Sequence, residues 1–515
     1  MHACLNVDEI VRLITNELIQ PNAKSGAVAL ACCHKSFEDP VLDTLWGRQD
    51  RLLPLVESLP GDIWNEDEHT VSTPTVCVFS SLNCFIGKTF KRRPTTLEWA
   101  RFRKYARRMR NLDDCVDPDI LSSKVFSVLQ LCATSEPLLP NLKTLQLRHI
   151  GRQFIPLIRL VLSPRTTFIG FTFDTLDLSE AMVASTLATL PTLCPNLQDI
   201  DLDLLPRDPV ITASVSGILL ASNRSALRRF QVDSPLTEEA REVVCKLPNL
   251  RKLSVVIERG VSLPSAVLPN LTKLVIKYDH DSDLLQVFCG ATLERLKSVT
   301  FHSRSEQIGD FLEALETVGF VASTQNTLSK FYFYTLCPWD PNYSSLLAFT
   351  QLTKLVVEFP CDFGCSSRVD DDIIINLART MPKLEILQLG DIPCREIPIG
   401  VTIKGLVVLA RHCPDLTSLF VHFQVASLST PPGVSFSTFG PTPLRRDCAL
   451  GDLVVGEIPI LEESVFVVAL TLTRIFPRLE NIEYTDENWE KVLDVISASK
   501  QIIDYTGKKH PLYIP

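Results

Sequence analysis

A chain of 515 residues that is 45% hydrophobic and 22% charged has the make-up of a folded protein, which excludes long disordered tracts. Its net charge of −9 argues against a general binder of nucleic acid. No apolar run exceeds about eight residues, far short of a membrane span. Length alone predicts about three domains.

Met1 to Glu9 has no basic stretch and carries early acids, so no secretory leader is expected. The 16 cysteines are scattered without a CxxC pair. They are expected as buried free thiols in a reducing compartment, cytoplasm or nucleus.

Taken in chain order, residues 1–50 predict a small all-α head. Leu5, Ile10, Leu13, Ile14 and Leu18 make an amphipathic stripe that Pro21 ends. The apolar stretch Ala27 to Cys33 follows, and Phe37, Leu42, Leu45 and Trp46 continue a helical pattern after a break near Pro40. Residues 51–135 predict a helical connector that packs on what comes next. It begins with a helix over 52–64, ended by Pro60-Gly61. A second helix over 94–112 carries the stripe Trp99, Phe102, Ala106 and Met109, with Thr95 or Thr96 as its N-cap. The rest of that helix is basic, from Arg101 to Arg110. The stripe favours packing with the charges in solvent over a nuclear-import or phosphate-binding role.

Residues 136–515 are ruled by one returning phrase, Leu-x-x-Leu-x-Leu, often introduced by Pro-Asn. It starts at Leu142, Leu197, Leu250 and Leu271. Looser copies start at Leu227, Leu296, Leu328, Leu352, Leu384, Leu416 and Leu479, and weak ones at Phe168 and Leu450. The last two leucines of the phrase are two apart, so both point to one face of a strand. Helical stretches such as Leu178–Leu190, Val210–Ala221, Thr237–Leu247 and Asp371–Met381 lie between copies. With a period of about 21 to 35 residues, the pattern predicts about thirteen irregular leucine-rich-repeat units. The fold class is α/β: a solenoid with parallel strands on a concave side and helices on a convex one. Residues 427–448, rich in Pro, predict a surface loop.

That geometry nominates binding residues, because strand positions between the inward leucines face out. They include Thr144, Gln146, Arg148, Asp199, Asp201 and Asp203, then a basic stretch through Arg229, Gln231, Lys252, Lys273 and Lys277. Lys330, Lys354, Glu358 and His422 continue the series, with exposed aromatics at Tyr332, Tyr334 and Phe420. Aromatics flanked by charge are what binding hot spots are made of. Stacked repeats make extended surfaces rather than closed pockets, so binding is expected and catalysis is not.

No catalytic, cofactor or metal motif stands up. Phe85 to Thr89 lacks the first glycine of a phosphate loop, because Leu82 stands there. Asp279, His280, Asp281 and Asp283 lack a second ligand cluster, and Cys361 and Cys365 lack a matching pair. Asp370, Asp371 and Asp372 precede an apolar helix and read as its cap.

Head and array together resemble the F-box/leucine-rich-repeat proteins, particularly the large fungal group. Residues 5–46 look like an F-box: Leu5, Glu9-Ile10, Ile14, Leu18, Ala29 to Phe37, and Leu42 to Trp46. The chain departs from many F-boxes at Asn6-Val7-Asp8, where Leu-Pro usually precedes the Glu. The resemblance implies a substrate-recognition subunit of an SCF-type ubiquitin ligase. Its head would bind a Skp-type adaptor, which joins it to a cullin scaffold, and its repeats would hold an unidentified target protein. Leu5, Ile10, Ile14, Leu18, Leu30, Phe37, Leu45 and Trp46 match the box's apolar pattern, as adaptor contacts or head core. The alternative is a repeat scaffold that binds a protein without engaging a ligase.

Overall fold

The computed structural model describes the chain outside residues 1–6, 20–23, 67–87, 116–122, 134–135, 174–177, 204–207, 224, 259–267, 280–292, 305–314, 316–319, 336–342, 359–368, 391–399, 422, 426–447, 457, 485 and 507–515. The chain divides into two compact units, Met1–Leu250 and Arg251–Pro515.

The first unit opens with helices α1 (Asp8–Leu18), α2 (Ser25–Cys33) and α3 (Lys35–Gly47). Their shared core is small: Val11, Ala27, Phe37, Val41 and Leu45, edged by Ile19, Leu30, Ala31 and Trp46. The His34 side chain caps α3, its Nδ1 accepting the Ser36 N–H at 3.2 Å. The expected break near Pro40 does not occur. Pro40 lies buried inside α3, where its ring removes a single backbone donor and helps fill the core.

Strand β1 (Arg48–Gln49) follows, then the one-turn α4 (Leu53–Val56). The helix expected over 52–64 is cut to that turn and a 3-10 turn at Gly61–Ile63. Strand β2 (Trp64–Glu66) then pairs antiparallel with β3 (Lys88–Phe90), Trp64 stacking on Phe90 at 4.5 Å. Helix α5 (Thr96–Ala106) is shorter than expected and is started by a capping box. Thr95 N–H donates to Glu98 Oε2 at 2.7 Å, and Thr95 Oγ1 accepts the Glu98 N–H at 3.4 Å. Met109, read from the sequence as part of that helix, lies beyond its end. It heads strand β4 (Asn111–Cys115), which the sequence reading of a helical connector missed. Helix α6 (Ser123–Cys132) completes the segment.

From here strands and helices alternate: β5 (Thr144–Ile150), α7 (Ile155–Val161), β6 (Phe168–Phe173), α8 (Glu180–Leu193), β7 (Asp199–Asp203), α9 (Pro209–Ala221), β8 (Arg229–Val232) and α10 (Glu238–Val244). The strands of this unit form a parallel sheet in the order β1-β4-β5-β6-β7-β8. One interior row runs in register through Leu112, Leu145, Ile169, Ile200 and Phe230, every one fully buried. The helices lie side by side, α6 to α10 each touching the next. The weak copy at Phe168 is shifted. Thr166 takes the leading position, buried, with its hydroxyl donating to Leu142 O at 3.2 Å, while Phe168 faces the other way.

The Pro-Asn introduction has a structural job. Asn141 Nδ2 donates to Arg107 O at 2.7 Å, Asn196 Nδ2 to Pro164 O at 3.1 Å, and Asn249 Nδ2 to Ser225 O at 2.8 Å. Each asparagine thus ties its turn to the turn of the preceding repeat, satisfying a carbonyl that no strand partner reaches.

The second unit repeats the plan. Strands β9 (Lys252–Ile257), β10 (Lys273–Tyr278), β11 (Ser298–Ser303), β12 (Lys330–Thr335), β13 (Lys354–Glu358), β14 (Ile386–Leu389), β15 (Ser418–Val421), β16 (Asp452–Gly456) and β17 (Asn481–Tyr484) pair in sequence order, all parallel. Their interior row is Leu253, Leu274, Val299, Phe331, Leu355, Leu387, Leu419, Leu453 and Ile482, all buried. Helices Asp371–Thr380, Ile403–His412, Val465–Ile475 and Asn488–Thr506 cover it. A leucine row of this kind cannot be buried by one repeat alone, so each unit's stability comes from stacking. Every predicted phrase of the array coincides with a strand, and the architecture is a solenoid-like repeat of mixed α/β class.

Four described cysteines are buried and free: Cys194, Cys245, Cys413 and Cys448. Cys413 Sγ lies 3.6 Å from Met381 O, and Cys448 Sγ 3.8 Å from Cys413 O, so thiols bridge successive repeats as weak donors. Cys32 and Cys33 differ, being exposed on α2. The cysteine and aspartate–histidine groups at 361, 365 and 280–283, the phosphate-loop fragment at 85–87 and the loop at 427–447 lie outside the described residues.

Candidate functional site

Two surfaces of different chemistry stand out, one in each unit. The first is on the head. Helix α2 is apolar around its whole circumference, yet only Ala27 is buried. Val28 is 51% exposed, and Leu13 on α1 is 65% exposed, with Val7 and Leu18 also exposed. A helix apolar on every side is ordinarily enclosed, so the open side of α2 at Val28 is unusual; on α1, Leu13 lies on the side opposite the buried Val11, away from Val7 and Leu18. The start of α2 fits close to α1: a Cβ on Gly26 would touch Leu18 Cδ2 at 3.6 Å.

The sequence candidates sort out on this frame. Phe37 and Leu45 are core, while Ile10, Ile14, Leu30 and Trp46 are half-buried. Leu18 is exposed, and Leu5 lies outside the described residues. Trp46 is turned to the connector, its ring stacked on Tyr105 at 4.7 Å. Val11, Ala27 and Val41 complete the core, and Val28 the exposed face; the alternation of small apolar residues in α2 concealed which side each would take.

The head is fastened by charge to α5 and to the turn that follows it. Arg108, its side chain only 13% exposed, pairs with Asp39 and Asp43 and donates to the Asp39 carbonyl at 3.2 Å. Burial opposes its charge, but the hydrogen bonds to Asp39 and then Asp43 outweigh that cost, so its pKa lies above the ordinary arginine value. Arg12 reaches Asp43 at 3.2 Å, Lys104 reaches Glu38 at 3.0 Å, and Arg103 pairs with Glu136. Most of the basic residues from Arg101 to Arg110 are solvent-exposed, as expected, and Arg103, Lys104, Arg107 and Arg108 are in addition paired with the acids of α3 and Glu136. Arg92 pairs with Glu98 at 2.7 Å and Asp62 at 2.6 Å. The hydrogen bond from Arg92, then that from the Thr95 N–H, holds the Glu98 carboxyl down at about 2.

The second surface is the sheet face opposite the leucine row. In the first unit its charges are spent internally. Arg229 lies 3.9 Å from Asp199 and sits over the Phe168 ring at 5.8 Å, and Arg148 reaches Asp113 at 3.4 Å. Gln231 lies half-buried beside Asp201.

In the second unit the same face is arranged differently. Lys252, Lys273, Lys330 and Lys354 hold one register position on β9, β10, β12 and β13, with Ser298 on the intervening β11. Two residues further along, Tyr332 stands on β12, and beyond it Lys277, His302, Tyr334 and Glu358 form a third row. His302 stacks on Tyr334 at 4.8 Å and 11°, and Tyr332 runs parallel to Tyr334 at 6.5 Å. Burial raises the pKa of both tyrosines, with Glu358 adding to the rise at Tyr334. Gln388 Nε2 donates to Glu358 at 2.9 Å. The aromatics expected as exposed are not: Tyr332 and Tyr334 are half-buried, and Phe420 is only 8% exposed, on β15 between β14 and β16. His422 lies outside the described residues.

Among the described residues no group of three or more His, Cys, Asp or Glu could hold a metal ion, and no helix is long and apolar enough to cross a membrane. A cleft of about 620 Å³ on the helix side of the first unit is lined by Pro156, Met182, Arg159 and neighbours. Arg159 there donates to Ser185 at 2.9 Å.

No protein-family model matches the chain, and no curated protein matches it. Among solved structures it is similar to a chain of the yeast Rad7 and Elc1 complex, at 16% identity over 59% of this chain and 77% of that one, with a TM-score of 0.38. A protein from Bacteroides fragilis is similar at 10% identity over 53% of this chain and 68% of that one, with a TM-score of 0.23.

Proposed function

We propose that the chain is the substrate-recognition subunit of an SCF-type ubiquitin ligase, working in the cytoplasm or nucleus. The head takes a Skp-type adaptor that links it to a cullin scaffold, and the repeats hold a target protein. The chain itself carries out no covalent chemistry. It raises the concentration of the target beside a separate ubiquitin-carrying enzyme. The observation that supports this reading best is the set of exposed apolar side chains, Leu13 on α1 and Val28 on α2, on a three-helix head whose sequence resembles an F-box. The ion pairs of Arg108 and Lys104 suit the role, since they hold the adaptor-binding head to the connector that follows it.

The test is capture of a purified Skp-type adaptor by the full chain. Leu13→Glu with Val28→Glu places one charge on each helix at an exposed apolar position, without removing core. Loss of a central contact of this kind costs roughly 2 kcal/mol or more, about thirtyfold in affinity. Capture by the parent chain and its loss in the double variant is the expected outcome. A parent chain that captures no adaptor leaves the repeat-scaffold reading in its place.

A further inference from the structure

We infer that the open face of β9–β13 binds a carboxylate-rich segment, a run of Asp and Glu in an extended stretch of another protein. This inference rests on the reading above, in which the repeats hold a target, and it names the chemistry of that target's docking segment.

The lysine row carries it. Lys252 and Lys273 are direct register partners on neighbouring strands, as are Lys330 and Lys354. Like charges set opposite each other in a sheet repel, and Lys330 and Lys354 are so placed, with Lys273 in the same row. The chain as a whole is acid, at −9, so the row is a local reversal of sign rather than a share of a general basic surface. In the first unit, the corresponding position pairs Arg229 with Asp199. Lys273, Lys330 and Lys354 therefore stand out as a field that an incoming anion would relieve.

The chemistry favours carboxylates over phosphates. Arginine, whose planar fork suits phosphate, occupies none of the outward positions of β9–β13. The backbone N–H groups of these strands serve the ladder, leaving no cradle of free donors. What remains is a set of single point charges at strand spacing. From Lys252 to Lys354 the row spans four strand intervals, about 19 Å, which matches five or six residues of extended peptide. Tyr332 adjoins the row on β12, and Tyr334, stacked with His302, lies one outward position further along the same strand. They give the segment apolar surface and leave the charges to set its orientation.

A fluorescein-labelled peptide of about twelve residues, Glu alternating with Ser, tests this on the full chain by fluorescence anisotropy. The expected result is binding that weakens steeply with added salt. It should fall at least tenfold in Lys330→Glu with Lys354→Glu, and hold in Arg229→Ala. Circular dichroism establishes that the double variant is folded, and its capture of the Skp-type adaptor should match the parent's. Three outcomes overturn the inference: no binding by the parent, binding unchanged by the double charge reversal, or binding only when Ser is replaced by phosphoserine. Peptide binding without adaptor capture would sink the ligase reading and leave this one standing.

Discussion

The seam between helices Asp371–Thr380 and Ile403–His412 offers a sharp test of how one repeat is locked to the next. Asp370 caps its own helix, accepting the Ile373 N–H at 2.9 Å. Asp371 serves the following helix instead: its carboxylate accepts from Thr402 N–H at 2.8 Å, Thr402 Oγ1 at 2.6 Å and Gly405 N–H at 3.1 Å. Removing it in Asp371→Ala strips a helix N-terminus of a charged acceptor, which costs about 2 kcal/mol. Gly405→Ala is the informative partner. In an ordinary helix interior it would gain about 0.5–1 kcal/mol. Here the new Cβ would stand 2.8 Å from Asp371 Oδ1 and 3.0 Å from Val401 Cγ1, so the carboxylate is pushed off its donors. The sign therefore reverses, to a loss of about 1–3 kcal/mol. With Asp371 already removed, the closest obstacle is gone, and the same glycine change should cost about 1–2 kcal/mol less, which is the coupling energy of the pair. Hydrogen exchange read by mass spectrometry over residues 400–413 of both single variants and the double measures this locally, without assuming that the whole chain unfolds in one step. A stabilising Gly405→Ala, or effects that simply add, would refute the clamp.

Two further outcomes follow from the head. Arg108→Ala leaves Asp39 and Asp43 facing α5 without their main counter-charge, and should destabilise the α3–α5 contact by about 1–3 kcal/mol; faster exchange over 35–47 with unchanged exchange in β9–β13 is the expected pattern, and no change in either would show the pairing to be idle. Thiol labelling should separate the described cysteines into two classes: Cys32 and Cys33 react at once and are protected by bound adaptor, whereas Cys194, Cys245, Cys413 and Cys448 react only on unfolding. Burial pushes Cys413 up to about 12, so at pH 8 only about one thiol in ten thousand is ionised there; early labelling of Cys413 would contradict the packing.

What the sequence disclosed, and what it withheld, follows from how many residues a feature needs. A repeat strand announces itself through two inward positions and a leading residue, and where all three are apolar the strand can be read directly. Strand β4 has Met109 and Leu112 but Asp114 where the third should stand, and Met109 also continued the helical stripe of Trp99, Phe102 and Ala106, so the helix pattern claimed it. At β6 the leading residue is Thr166, a polar side chain made tolerable by its bond to Leu142 O, so the repeat begins two residues before the phrase at Phe168 predicts. Surface character was harder still, because it depends on what other strands bring. The lysines at 252, 273, 330 and 354 were each visible, but their alignment into one row requires the register across five strands. Phe420 carried the same outward phase as Tyr332 and was closed over by its neighbours. The acids Glu38, Asp39 and Asp43 meet the basic segment only through the fold, across more than sixty residues of chain. Local pattern therefore determines the strand, whereas charge on its open face is a property of adjacent repeats together. It follows that the docking chemistry of such a chain can change through single substitutions at outward positions while every leucine row stays intact.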